Sequence, residues 1–350
     1  MSSLKPIIII GGGLAGLTLG IGLRQRGVPV TIWEAGRYPR HRVCGEFISG
    51  RGQAVLERLG LLARCHQAGA VPARTAMFVC GANRSPIRPL AAPALCLSRL
   101  ELDALLAETF QQSGGELRVN ARWTAGEAGA GLVYAAGRRA PPPEKSPRWF
   151  GVKAHVPRPG AVPLEADLEM HAMRDGYIGV NRINDGQVNV CGLFRVRADG
   201  RRSESKEEWL RGDPGSWLRE RLRRAEFDPD SFCSVAGLAL QPQRAAARAE
   251  CCIGDRLTMT PPVTGNGMSM AFESAELAMG PLAEYSQGRL DWPAARQRLA
   301  QRCDAAFARR LVWGRRLQWM MLSPALQGRW GAWLLRSDWL WRFLFERTRA

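Results

Sequence analysis

Ile7-Ile8-Ile9-Ile10-Gly11-Gly12-Gly13-Leu14-Ala15-Gly16 is an apolar run that enters a glycine turn and leaves it as a helix carrying Leu14, Leu17, Leu19 and Ile21. Gly11 permits the turn, Gly13 lets the backbone approach a phosphate, and Gly16 lets helix and strand pack closely; the helix N-terminus favours negative charge. A second short apolar strand, Pro29-Val30-Thr31-Ile32-Trp33, ends at Glu34, whose carboxylate can accept hydrogen bonds from an adenosine ribose. Strand, glycines, helix and terminal acid in this order predict dinucleotide binding, with Leu14 and Ala15 at the contact beside the glycines. The stretch from Pro6 to Leu23 carries no charge and is long enough to suggest a membrane span or a signal core. Its six glycines weaken such a helix, and no small-residue cleavage pattern follows.

A matching signal comes late. Glu250 to Ile253 predicts a short buried strand that delivers Gly254 and Asp255, where a carboxylate meets a ribityl hydroxyl. After the Pro261-Pro262 turn, Gly265-Asn266-Gly267 opens a predicted helix from Met268 to Ala278. Its N-terminus would lie against the edge of a flavin ring that becomes negative on reduction, a helix-dipole contribution of about 0.3–1 kcal/mol. Together the two signals predict FAD as cofactor. With no second GxGxxG in the chain, NAD(P)H is expected only as a transient electron donor.

The 350 residues are 46% hydrophobic, enough for one large or two ordinary domains. Only four of the 49 basic residues are lysine, and the net charge is +17. The excess is spread widely and no nucleic-acid motif accompanies it, so an anionic membrane surface or an acidic carrier is the expected partner class. The nine cysteines are scattered without CxxC spacing, which predicts neither a zinc site nor a disulfide framework. The expected setting is the reducing cytoplasm.

Glycine and proline punctuation sets off a loop containing Arg40-His41-Arg42-Val43-Cys44-Gly45-Glu46, then a helix from Gln53 to Ala63. A second helix is predicted over Leu100 to Gln112 with Ser98 as its cap, and a strand over Leu132 to Gly137. Beyond a proline-rich linker at Pro141 to Pro147, period-two patterns cover Arg148 to Val156 and Asp167 to Val196, with Asn184-Asp185-Gly186 as a hairpin turn. A charged helical segment from Ser205 to Arg224 precedes the return near Val235. The expected fold class is therefore α/β. A Rossmann-like FAD-binding domain of glutathione-reductase type is split over residues 1–70, 97–140 and 235–290. A mixed, largely antiparallel substrate sheet occupies 71–96 and 148–234, and a C-terminal helical region 291–350.

With these motifs in place, roughly residues 5 to 290 resemble the flavoprotein superfamily of geranylgeranyl reductases and aromatic-ring hydroxylases. Arg42-Val43-Cys44-Gly45-Glu46-Phe47 is similar to the reductase branch's loop beside the isoalloxazine, and Ser98-Arg99 with Asp103 to its second nucleotide-contacting segment. The resemblance implies that Arg42 and Arg99 contact the cofactor, that Cys44 sits near the ring, and that Gly254-Asp255 through Gly265, Asn266, Gly267 and Met268 form the flavin motif. Departures are equally plain. Gly176-Tyr177-Ile178-Gly179-Val180 replaces the aromatic strand of prenyl reductases, Ala136-Gly137 stands for the hydroxylases' Asp-Gly, and the halogenases' Trp-x-Trp-x-Ile-Pro stretch is absent.

Cys44 can tune the flavin or pass a proton, or serve as a small buried hydrophobe. Glu46 can act as a general acid or face solvent. His155 and Tyr177 read as structural residues of strands, with a substrate contact as the alternative. Seven of the twelve tryptophans fall at or after Trp292, and Trp330, Trp333, Leu334 and Trp341 alternate with Arg329, Arg336 and Arg342. These side chains predict either a helical cap packed on the flavin domain or a surface resting on lipid headgroups at the inner membrane face. Three activities are compatible with the motifs: a monooxygenase-like enzyme on a hydrophobic substrate, a double-bond reductase of prenyl or lipid chains, and a non-catalytic flavin-bearing partner.

Overall fold

Pro6 to Leu23 divides where its glycines fall, into a strand β1 (Ile7–Ile10) and a helix α1 (Leu14–Arg24), so this uncharged stretch is no membrane span. The computed structural model describes residues 4–124, 126, 129–137, 148–196, 205–238, 243–323 and 336–349; the proline-rich linker falls outside them. Next come β2 (Val30–Trp33), β3 (Phe47–Ile48), α2 (Gly50–Arg58), α3 (Leu62–Gln67), β4 (Val71–Cys80), β5 (Asn83–Arg84) and β6 (Arg88–Cys96). Then follow α4 (Arg99–Gln112), β7 (Glu116–Arg118), β8 (Leu132–Tyr134), β9 (Arg148–Val156), β10 (Leu168–Met173), β11 (Gly176–Arg182) and β12 (Val188–Val196). The rest comprises α5 (Lys206–Leu210), α6 (Trp217–Leu222), β13 (Cys233–Ala236), β14 (Cys251–Cys252), α7 (Gly267–Ser286), α8 (Trp292–Leu322) and a last helix α9 (Asp338–Arg349).

One sheet is parallel throughout, in the order β14-β8-β1-β2-β7. The late strand β14 lies beside β8, so the nucleotide-binding layer is split in sequence as expected. Every residue of α1 from Leu14 to Leu23 is buried, because the helix is apolar all round and sits between this sheet and α7. Each fully buried Leu or Ile there contributes about 1.5–3 kcal/mol.

The other sheet has the order β13-β9-β12-β11-β10-β4-β6-β3, with β5 paired to β4, and is antiparallel except between β10 and β4. Strand alternation gives it two faces. Val152, Ala154, Ile178, Val180, Val190 and Phe194 pack on the outer face against Leu210, Leu218 and Leu222 of α5 and α6. The inner face carries Lys153, His155, Asn189 and Asn181 towards the 41–46 loop, and Tyr177, Leu193 and Met170 towards α8. The Asn184-Asp185-Gly186 turn joins β11 to β12 as expected, pairing Asn181 with Asn189.

Several boundaries differ from the pattern reading. The helix expected over Gln53 to Ala63 is two helices, because Gly60 takes the left-handed conformation (φ +71°) that ends the first. The segment from Ser205 to Arg224 is likewise broken into α5 and α6 by Gly212-Asp213-Pro214-Gly215. The helix after Gly265-Asn266 runs on to Ser286, past Ala278 and through Pro281. β3, within the amino-terminal stretch, joins the antiparallel sheet by pairing with β6.

Candidate active site

The glycine turn is built by close backbone contact. Gly11 has φ +107°, a region that side chains disfavour, and a Cβ on Gly16 would stand 2.0 Å from the Gly11 carbonyl oxygen. A Cβ on Gly13 would meet nothing within 4 Å, so the space beside the α1 N-terminus is open. No side chain caps that N-terminus, and its first turn holds no acid. Glu34 is buried beneath the turn: its Oε2 accepts from the Gly12 amide at 2.8 Å, and its Oε1 from the Gly36 amide at 2.9 Å and Arg40 at 2.8 Å. The Tyr38 hydroxyl also donates to the Gly12 carbonyl. Oε2 keeps capacity for a further hydroxyl donor.

From Glu34 a chain of charges leads to the substrate sheet. Arg42 lies 4.0 Å from Glu34 and donates to Asp103 at 3.0 Å; Arg99 grips the same fully buried Asp103 through two bonds of 2.7 and 2.8 Å. The two arginines expected to contact cofactor thus share one carboxylate, which fixes their guanidinium groups between the glycine turn and the 44–46 loop. Glu46 is 0% exposed and has φ +56°. Its Oε1 accepts from the Arg99 amide at 2.8 Å and lies 3.0 Å from Lys153 Nζ, while its Oε2 bonds to His155 Nε2 at 2.7 Å. Because an ionised carboxylate only accepts, His155 must carry a proton on Nε2. Glu46 therefore faces neither solvent nor cavity; both of its oxygens are spent on joining the loop to β9.

Cys44 is half-buried; its sulfur accepts from the Glu46 amide at 3.4 Å, and Asn189 donates to its carbonyl at 3.2 Å. Burial pushes its thiol up, outweighing the pull of Arg99, so it stays protonated at neutral pH. His41 stacks edge-on against His155 with centroids 5.1 Å apart and is held below its ordinary value, first by burial and then by Lys153. Asn189 Oδ1 is buried without a hydrogen-bond partner on the protein.

The late segment reaches the same region. A Cβ on Gly254 would stand 2.9 Å from Ala15 Cβ on α1, and the Gly254 amide donates to Ser274 of α7 at 2.9 Å. Asp255 is exposed, and with Gly254 and Gly267 it borders a small cavity of about 10 Å³ at the start of α7. The α7 N-terminus has no side-chain cap either, and Met268 is buried behind it. Asn266 accepts from Ser49 at 3.2 Å and donates to the Thr348 carbonyl at 2.8 Å. Two uncapped helix starts and an open Gly13 are what an extended dinucleotide with anionic phosphates would satisfy, and the residues present fit FAD.

A cavity of about 210 Å³ adjoins this region between the inner sheet face and the C-terminal helices. Gly45, Phe47 and Thr264 form one end, Met77, Phe78 and Met170 the floor, and Leu317, Trp341 and Phe345 the roof. The Phe47 ring lies against Gly265, where any Cβ would strike it. The Trp341 ring meets Phe78 edge-on at 5.2 Å. α9 is held at one end by Arg88, which donates to Asp338 at 2.8 Å, and at the other by the Asn266–Thr348 bond. α8 docks through Arg310, bound twice to the buried Glu273, and through Gly314 against Pro261 and Thr264. Trp341 thus packs on Phe78 and Arg88 of the antiparallel sheet, where a cap on the flavin domain was expected; Trp330, Trp333, Leu334 and Arg329 lie outside the described residues. Tyr177 packs with Leu193, Leu238 and Val263.

Sequence reasoning missed Lys153, His41, Asn181 and Asn189 as members of the cluster. Lys153 and His155 are two apart in a strand, which places both on one face, and Asn181 and Asn189 are symmetric about the hairpin turn; those were the available signals. The cluster also has a pH signature. Burial pushes the Glu46 carboxyl up, but the His155 hydrogen bond and the Lys153 charge outweigh it and leave it below its ordinary 4.5. On the outer face Glu169 behaves alike through His171 and Arg221, and burial holds His171 below its ordinary 6.5. All three shifts are downward, so their stability is complete above about pH 6.5 and is lost as pH falls, His171 first and the carboxylates below about pH 4.5. The urea midpoint should hold level from pH 8 to 7 and decline from pH 6.5 to 4. A midpoint that rises on acidification would contradict this.

Residues 5–142 match the model of the FAD binding domain. Among solved structures, the fold is similar to the flavin-dependent brominase Bmp2 (18% identity, TM-score 0.76, covering 99% of this chain and 93% of that one). It is also similar to the myxobacterial chondrochloren halogenase CndH (17%, TM-score 0.73, 99% and 91%). A third likeness is to PqsL of Pseudomonas aeruginosa, described as a probable FAD-dependent monooxygenase (17%, TM-score 0.71, 95% and 99%). No curated protein matches the chain.

Proposed function

We propose that this chain, with an FAD binding domain at its start and the fold shared by flavin-dependent halogenases and an FAD-dependent monooxygenase, is an FAD-dependent oxidoreductase of monooxygenase type acting on a hydrophobic substrate. The carrying observation is that the apolar cavity of about 210 Å³ is walled by Gly45, Phe47 and Thr264, the segments expected beside the flavin ring. When bound, FAD supplies two-electron and oxygen chemistry. Gly11, Gly13, Leu14, Ala15 and Gly16 would hold its pyrophosphate, Glu34 its ribose, Gly254-Asp255 its ribityl chain, and Gly265-Asn266-Gly267 the ring edge. Arg42 and Arg99 would act through Asp103, keeping positive charge near the cofactor while Glu46 locks the loop to β9.

The chain's own contribution is a largely apolar room. Leu317, Trp341, Leu344 and Phe345 line it from above with apolar side chains, and Phe78 and Trp341 offer aromatic edges to a flat or elongated apolar substrate. NAD(P)H would dock transiently to reduce the cofactor. Halogenation, the activity named for two of the structural neighbours, is less supported because the Trp-x-Trp-x-Ile-Pro stretch is missing. The test is turnover of an apolar metabolite extract with NAD(P)H at controlled oxygen, followed by mass spectrometry. Gain of one oxygen that ceases under argon is expected; gain of two hydrogens that persists under argon would replace this reading with double-bond reduction.

A further inference from the structure

Six large hydrophobic side chains are left exposed among the described residues; Leu4 and Val119 stand apart, and the other four gather about the C-terminal helices. Trp319 (68% exposed), Trp339 (72%) and Val312 (49%) all belong to α8 and α9, and Ile87 (49%) adjoins Arg88, the residue that pins α9. On α8, Val312, Arg315, Arg316 and Trp319 recur at helical spacing and form one exposed stripe. Trp339 stacks on Phe343 at 5.4 Å, and Phe343 meets Trp313 edge-on at 5.1 Å, so an aromatic row runs from between the helices out to solvent. Arg316 lies over Trp313 at 4.8 Å and Arg347 over Phe343 at 5.2 Å, which keeps cationic groups at the rim of the apolar surface. Between Asp304 and Asp338 the sequence has six arginines and no acidic residue.

We propose that this face of α8 and α9 docks on an anionic phospholipid surface, with Trp319, Trp339 and Val312 in the headgroup layer and Arg309, Arg315, Arg316 and Arg342 against lipid phosphates. Tryptophan prefers the membrane interface because its ring is apolar and its N–H is wet, and arginine stems lie along apolar surface while their heads meet phosphate. Charge complementarity favours this occupant over a neutral one. α9 also presents Trp341, Leu344 and Phe345 to the cavity from its other side, so the docked face lies one helix away from the apolar room. No described helix is long and apolar enough to cross a membrane, and contact is at the surface only.

The test is flotation of the purified, FAD-loaded full chain with vesicles of phosphatidylcholine alone or with one third phosphatidylglycerol. Binding is expected to the anionic vesicles only and to weaken with salt. Arg315→Gln with Arg316→Gln should reduce partitioning by about tenfold or more, each arginine near the surface counting for roughly fivefold. Trp319→Ala with Trp339→Ala should also release the protein, with flavin content and melting temperature unchanged. The proposal is overturned if the wild type stays with the lipid-free fraction. It is overturned equally if either pair of variants floats as well as wild type, or if the tryptophan pair only abolishes self-association or capture by an acidic protein. Flotation does not read turnover, so its outcome is independent of the proposed reaction.

Discussion

Gly16→Ala is expected to yield protein that is poorly folded and colourless, whereas Gly13→Ala is expected to yield folded protein that has lost its flavin. The two glycines sit three residues apart but face different neighbours. A Cβ at position 16 collides with the backbone oxygen of Gly11 at 2.0 Å, and a backbone atom held by β1 cannot step aside cheaply. Overpacking of that kind costs about 1–3 kcal/mol or more, and relief can come only by opening the turn. At position 13 the backbone is extended, with φ −86° and ψ −173°, and a Cβ meets no protein atom, so the fold has no reason to object. The methyl group instead fills space kept open beside the α1 N-terminus. FAD affinity should fall about tenfold or more, equivalent to about 1.4 kcal/mol, with the melting temperature of the flavin-free protein unchanged. Measured flavin stoichiometry and thermal melts of both variants decide the matter. Equal flavin content in Gly13→Ala and wild type would remove the pyrophosphate from this turn.

The second large effect is on stability and lies away from the nucleotide. Glu46→Ala leaves Lys153, 0% exposed, without the carboxylate that neutralises it and His155, 2% exposed, without its hydrogen-bond acceptor. Removing one partner of a buried charge cluster costs about 3–5 kcal/mol, a large share of the 5–15 kcal/mol typical of a folded domain. The loop from Arg42 to Glu46 should then part from β9, so flavin binding weakens with stability. Lys153→Met added to Glu46→Ala should recover part of the loss, because the remaining side chains are no longer a buried unpaired charge. If Glu46→Ala unfolds in urea at the wild-type midpoint, the cluster does not hold the 42–46 loop to β9. A general acid in contact with substrate would instead show unchanged stability and a lost rate.

The opening of the parallel sheet was legible because its signals are local: β1, the glycine turn, α1 and Glu34 follow one another, whereas the edge strand β7, three residues long, carries no pattern to read. The hairpin at Asn184-Asp185-Gly186 was legible for the same reason. What was hidden depended on contacts between distant segments. Glu46 alone does not disclose that Lys153 and His155 arrive from a strand more than a hundred residues later. Helix breaks at Gly60 and at Gly212 to Gly215 were masked by helix-forming neighbours on both sides. The cavity was beyond the reach of any pattern, since its floor comes from β4, β10 and β11 and its roof from α8 and α9.

The carbonyl of Thr348, in the last turn of α9, receives a hydrogen bond from Asn266 at the start of α7. Unwinding the last turn of α9 would therefore strip an acceptor from the segment expected to meet the redox ring, so the roof of the apolar room and the ring's surroundings are mechanically coupled through one backbone oxygen.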